Sequence, residues 1–179
     1  MMTRTGTNAP VARLRLVAAN GRRIDQNKRE LHILDIENGV GHGEVTQADA
    51  ALLRSDYRAV VRPQADAQFV AATSSSTGMV EAALGWGAGP RWLHEDGPDG
   101  ADQCLLDELR HPKTAQRFTH IVLLSGDHIF TDVVDELVRQ GVHVTVVSRP
   151  SSLNYGLRQS ASNVIYLPEP PAVPAAKVA

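Results

Sequence analysis

Aromatic residues are scarce: three Phe, two Trp and three Tyr make up 4% of the 179 residues. A surface built mainly on stacked bases would therefore have few rings to use. Cysteine is scarcer still, with Cys104 alone, which excludes an internal disulfide and any Cys-rich zinc site and fits a cytoplasmic setting. No run approaches the roughly 20 apolar residues of a membrane span. Near the start, Leu14, Leu16 and Val17 are interrupted by Arg13 and Arg15, so no apolar signal core forms and neither anchoring nor standard export is expected. The seven histidines show no HxxxH or HExxH spacing, and of them only His128, beside Asp127, is placed to touch a substrate. Ser74, Ser75 and Ser76 lack a GxSxG elbow and read as a helix cap, and the glycines from Gly85 to Gly89 have no phosphate-loop lysine.

What is present is ordinary in bulk and uneven in distribution. A 42% hydrophobic, 21% charged chain with 14 Gly, 10 Pro and no repeat predicts one globular domain with a real core. Its formal charge of −2 hides two terms. Residues 1–30 carry seven basic side chains (Arg4, Arg13, Arg15, Arg22, Arg23, Lys28, Arg29) and two acidic ones, a net of +5 that leaves −7 on the rest. A basic arm suits polyanions and an acidic body suits cations. The expected organisation is an arm over 1–29 with a short strand at 11–17, a domain over 30–168, and a Pro/Ala-rich disordered tail over 169–179.

Apolar runs at 31–34, 69–72, 91–93, 121–124, 142–147 and 164–167 read as strands, three of them continuous enough for burial on both faces. Helical patterns fall between them at 47–57, 76–86, 101–110, 131–140 and 153–160, with Asp99 as an N-cap and Gly141 as the residue that ends the fourth. Strands alternating with helices predict an α/β fold with a mainly parallel sheet between helical layers. Ligands of such sheets bind beyond the carboxyl ends of the strands, where the strand order reverses.

Carboxylates collect at those ends. Asp35 closes the first strand, with Asn38 in the loop after it, and Asp127 follows the fourth in Ser125-Gly126-Asp127. Asp102 lies in the first turn of the third helix, one turn before Leu106, and Asp132 in the first turn of the next. Glu37 is less well placed than Asp35 to reach the same point, Asp107 falls on a solvated face, and Asp96 and Asp99 read as turn and cap residues. Several acids at one rim repel one another unless a cation offsets them, and Mg²⁺ or Mn²⁺ takes such oxygen ligands. Held there, an ion lowers the pKa of water and neutralises charge on a transferring phosphoryl group.

The stretches LHILDIEN, GADQCLLDEL and IVLLSGDHIFTDVVDELVRQGVHVTVVSRP, followed by LRQSASNVIYLP, resemble the NYN domain family, a branch of the PIN-like nucleases, over roughly residues 31–168. The most specific part is SGD with its following helix and the strand after it. The resemblance implies a Rossmann-like, PIN-type three-layer sandwich and an acidic Mg²⁺ or Mn²⁺ pocket that hydrolyses RNA, with Asp35, Asn38, Asp102 and Asp127 at the matching positions. Family members commonly read SGD, any residue, then Asp-Phe; this chain has Ile129 before Phe130, and Asp132 is the candidate to supply the missing carboxylate.

The expected activity is thus a metal-dependent endoribonuclease acting on single-stranded RNA, with catalytic Asp35, Asn38, Asp102, Asp127 and Asp132. Of the 18 basic residues 15 are Arg, whose guanidinium forks suit phosphate, and Arg149 and Arg158 lie closest to the expected rim. The alternatives are an RNA-binding or assembly module of the same fold, motivated by Ile129, and a haloacid-dehalogenase-like phosphatase, in which Asp35-Ile36-Glu37 imitates an Asp-x-Asp motif although Gly39 stands where Thr or Val is expected. The oligomeric state is open, a homodimer among the options.

Overall fold

The computed structural model describes residues 29–169, so the basic arm through residue 28, its expected strand at 11–17 and residues 170–179 lie outside the described residues. Six strands alternate with helices: β1 (Glu30–Asp35), α1 (Ile36–Val40), α2 (Gln47–Val61), β2 (Gln68–Thr73), α3 (Ser76–Trp86), β3 (Arg91–His94), α4 (Gly100–Arg110), α5 (Thr114–Arg117), β4 (His120–Leu124), α6 (Thr131–Arg139), β5 (His143–Ser148), α7 (Tyr155–Ser160) and β6 (Asn163–Tyr166). Within the described residues each expected strand and long helix is present, with ends moved by a few residues.

All five strand pairings are parallel, in the order β3-β2-β1-β4-β5-β6. The order reverses between β1 and β4, which are neighbours in space and separated in sequence by five helices and two strands. Hydrophobic side chains alternate between the two faces of the sheet. Leu31 and Ile33 of β1 join Leu105, Leu106 and Leu109 of α4 and Val133, Val134 and Leu137 of α6 on one face. On the other, Leu34 joins Leu53 and Tyr57 of α2 and Ala82 and Trp86 of α3. The chain therefore folds as the expected three layers, and all of its β1–β4 and β1–β2 register is set by side chains buried on both sides.

Local sequence explains the element ends. The capping box of Thr46 and Asp49 starts α2, and Ser75 caps α3 by accepting from Gly78 N–H. Gly141 ends α6 with φ 87°, its N–H bonding Val138 O at 2.9 Å while Val142 N–H bonds Leu137 O at 3.0 Å, a Schellman closure that needs a left-handed residue. Asp99 occupies the N-cap position of α4 but makes no side-chain cap bond. Among the described residues no helix is long and apolar enough to cross a membrane.

Candidate metal and nuclease site

The reversal point lies between the carboxyl ends of β1 and β4, and the two ends are joined there by side chains. Asp35, 4% exposed, is the N-cap of α1 and accepts Asn38 N–H on Oδ1 at 3.1 Å. Its Oδ2 accepts the Ser125 hydroxyl at 2.9 Å. Ser125 Oγ in turn accepts Asp127 N–H at 3.1 Å, so one buried hydroxyl spans both strand ends. Asn38 crosses in the other direction, its Oδ1 accepting Gly126 N–H at 2.8 Å. Asn38 belongs to α1 rather than to the expected loop, because the Asp35 cap turns DIENGV into a short helix.

Gly126 is required by space. A Cβ there would lie 2.3 Å from Ser152 O and 2.6 Å from Ser148 Oγ, contacts no side chain can make. Close approach of the β5–α7 loop is what keeps the Asp127 turn tight. Asp127 Oδ1 then accepts Ile129 N–H at 3.0 Å and lies 2.8 Å from His128 Nδ1. Ile129 itself packs against the hydrophobic core.

Electrostatics gather the acids further. Burial pushes the Asp35 carboxyl up, the Asn38 and Ser125 bonds oppose this, and the charges of Asp102 and Glu37 add to it, leaving it at about 7. Asp102, half-buried in the first turn of α4, is pushed up to about 6 by burial and by Asp127, Asp99 and Glu37. Sequence reasoning undervalued Glu37: it accepts Ser74 N–H at 2.8 Å and the Ser74 hydroxyl at 2.7 Å, and its charge acts on both aspartates. Ser125 was missed altogether, since a serine beside Gly126-Asp127 reads as a turn residue until β1 and β4 are known to be neighbours.

The remaining candidates stand elsewhere. Asp132 is exposed on α6 and lines a cavity of about 450 Å³ with Leu109, Pro112, Val133 and Glu136, and it is not among the charges acting on Asp35 or Asp102. Arg149 is 5% exposed, its Nε donating to Gly39 O at 3.2 Å and its Nη1 to Pro168 O, so its guanidinium faces carbonyls inside the domain. Arg158 is exposed on α7.

Among the described residues no three His, Cys, Asp or Glu side chains stand close enough to form a ready metal cage. The donor set still fits a hard cation in chemistry. Asp35, Asp102 and Asp127 offer only oxygen, each Asp35 oxygen keeps a lone pair beyond its single bond, and Mg²⁺ retains several waters while taking one or two carboxylates and a phosphate.

Residues 106–168 match the NYN domain, of the PIN-like superfamily. The NYN match contains Ser125, Gly126 and Asp127, whereas Asp35 and Asp102 precede it. The fold as a whole is similar to the crystal structure of a protein of unknown function from Vibrio parahaemolyticus RIMD 2210633, with a TM-score of 0.52 and 19% identity over 82% of this chain and 97% of that one. That likeness is one of fold. No curated protein matches the chain in sequence.

Proposed function

We propose that the protein is a metal-dependent ribonuclease, cutting single-stranded RNA internally at the carboxyl edge of the sheet. The observation that carries this reading is the mutual field of Asp35, Asp102, Asp127 and Glu37 at the reversal point, with no basic side chain among the described residues acting on Asp35 or Asp102. Such a set suits a cation. Asp35, Asp102 and Asp127 would hold Mg²⁺ or Mn²⁺, which when bound acidifies water and offsets charge on the scissile phosphate. The chain's own contribution is positional. Ser125 fixes Asp35 relative to Asp127, and Asn38 fixes the Gly126 backbone relative to α1. Asp132 is placed by this reading outside the ligand set.

Incubation of the full chain with labelled single-stranded RNA tests it. Cleavage is expected with Mn²⁺, absent with EDTA, and reduced at least about 100-fold in Asp127→Asn. Mn²⁺ should also raise the melting temperature at pH 7.5, an effect lost in Asp35→Asn. Cleavage that survives both EDTA and the substitution sinks the proposal.

A second reading, an RNA-binding or assembly module without cleavage, is favoured by Ile129, whose side chain packs on the core where the family commonly places an acid. RNA binding without metal-dependent cleavage would select it. The phosphatase alternative loses ground because Asp35, its nucleophile, is buried with both oxygens held.

A further inference from the structure

We propose that Tyr155 is a platform on which a base of single-stranded RNA stacks beside the acidic site, with Arg158 binding a neighbouring phosphate. This rests on the ribonuclease reading and adds to it a contact for the substrate strand outside the carboxylates.

Tyr155 is 74% exposed, more than Leu52, Val80, Leu84 or Tyr166, the other large hydrophobic residues left in solvent among the described residues. A lone exposed ring is commonplace. Its mounting is what singles it out. The residue before it, Asn154, donates its N–H to Gly126 O at 2.9 Å, so the start of α7 hangs directly on the Ser125-Gly126-Asp127 turn. Asn154 Oδ1 also accepts Gly156 N–H at 2.8 Å and Leu157 N–H at 3.4 Å, which holds the first turn closed. On the residue after Tyr155, a Cβ on Gly156 would sit 3.5 Å from Thr131 Cγ2, ordinary contact distance, so this turn lies against the start of α6. Leu157 is fully buried and pins the opposite face.

The ring is therefore displayed from backbone that is already immobilised on both sides, and stacking a base on it orders little else. Three residues on, the exposed Arg158 shares the solvent side of the helix. Ring and guanidinium at that spacing match the alternation of base and phosphate along a single strand, and stacking on an aromatic face tolerates any base. With only eight aromatic residues in the chain, four of them buried in the core, an exposed tyrosine next to the residue that hydrogen-bonds the acidic turn is an uncommon use of a ring.

The test measures binding of fluorescent single-stranded RNA in Mn²⁺ by the full chain carrying Asp127→Asn, so that the strand stays intact, and by the same protein with Tyr155→Ala or Tyr155→Phe added. Oligonucleotides with one abasic position scanned along the strand are bound in parallel. Tyr155→Ala is expected to weaken binding about 5- to 100-fold and Tyr155→Phe to leave it unchanged. One abasic position should weaken the parent and have no further effect in Tyr155→Ala. Unchanged affinity in Tyr155→Ala, equal losses in both variants, or an abasic penalty that persists in Tyr155→Ala overturns the stacking role. If the parent binds RNA and Tyr155→Ala binds it equally, only this inference falls; if the parent binds no RNA and the wild-type chain does not cleave it in Mn²⁺, the ribonuclease reading falls with it; and where the wild type cleaves RNA that the parent does not hold, Tyr155→Ala in the wild-type background must raise the KM for cleavage or this inference falls.

Discussion

The two ends of β1 each bury a carboxylate, and they treat it in opposite ways. At the amino end Glu30 is covered, and His32 Nε2 lies 3.0 Å from its Oε1. His32 Nδ1 in turn meets the Tyr57 hydroxyl at 2.5 Å, and Glu30 accepts Gln64 N–H at 3.3 Å. Burial pushes the Glu30 carboxyl up, but His32, His120 and that N–H outweigh it and hold it below the usual range. Asp35, five residues along, receives only neutral donors and faces other acids, and settles at about 7. One edge supplies its own partners. At the other, no basic side chain among the described residues acts on Asp35, which under the proposed function leaves that place to an exogenous cation.

Removing the internal partner should cost most. His32→Leu leaves Glu30 buried beside an apolar group and the Tyr57 hydroxyl without its ring-nitrogen partner, and is expected to lower unfolding free energy in urea by about 3–5 kcal/mol while the folded fraction keeps its metal-dependent cleavage. Equal loss of both would blur the division between the edges.

The carboxyl edge should respond to pH in the reverse sense of an ordinary aspartate. With a carboxyl raised from 3.8 to about 7, the metal-free native state holds its proton where the unfolded chain has released it. The stability this contributes is present below pH 4 and is lost as pH rises to about 7, on the order of 4 kcal/mol at most. Chemical unfolding of wild type and Asp35→Asn from pH 4 to 8 isolates the term, because Glu30 changes both alike. Parallel curves would show that Asp35 is not electrostatically stranded.

Smaller effects follow from packing and from the surface. Gly126→Ala forces a methyl against Ser152 O and Ser148 Oγ and should cost about 1–3 kcal/mol, with a loss of cleavage beyond the loss of stability because the Asp127 turn shifts. Arg139→Ala breaks exposed pairs with Asp135 and Glu136 on α6 and should leave the melting temperature essentially unchanged.

The layers and the strands themselves were legible because buried parallel strands are written as apolar runs, such as Ile121–Leu124 within β4, and helices as apolar residues three and four apart. Asp35, Asp102 and Asp127 were legible as strand-end and helix-start acids. What escaped depended on neighbours in space. α1 escaped because Asn38-Gly39 is also a turn sequence, and only the Asp35 cap decides between the two. Ser125 escaped because its partner is 90 residues away in sequence. Arg149 follows a strand, as a phosphate ligand would, but two backbone carbonyls turn it inward, and no sequence spacing reports that.

That inward turn makes Arg149 a clasp. One nitrogen holds Gly39, at the far end of the short helix that Asp35 caps, and another holds Pro168, beyond the last strand. The chain's closing segment is thereby fastened to the same helical turn that seats the first aspartate. A protein ending at Leu167 would keep all six strands and lose an acceptor for a buried guanidinium, so the place where the domain can safely stop is set by an arginine rather than by the edge of the sheet.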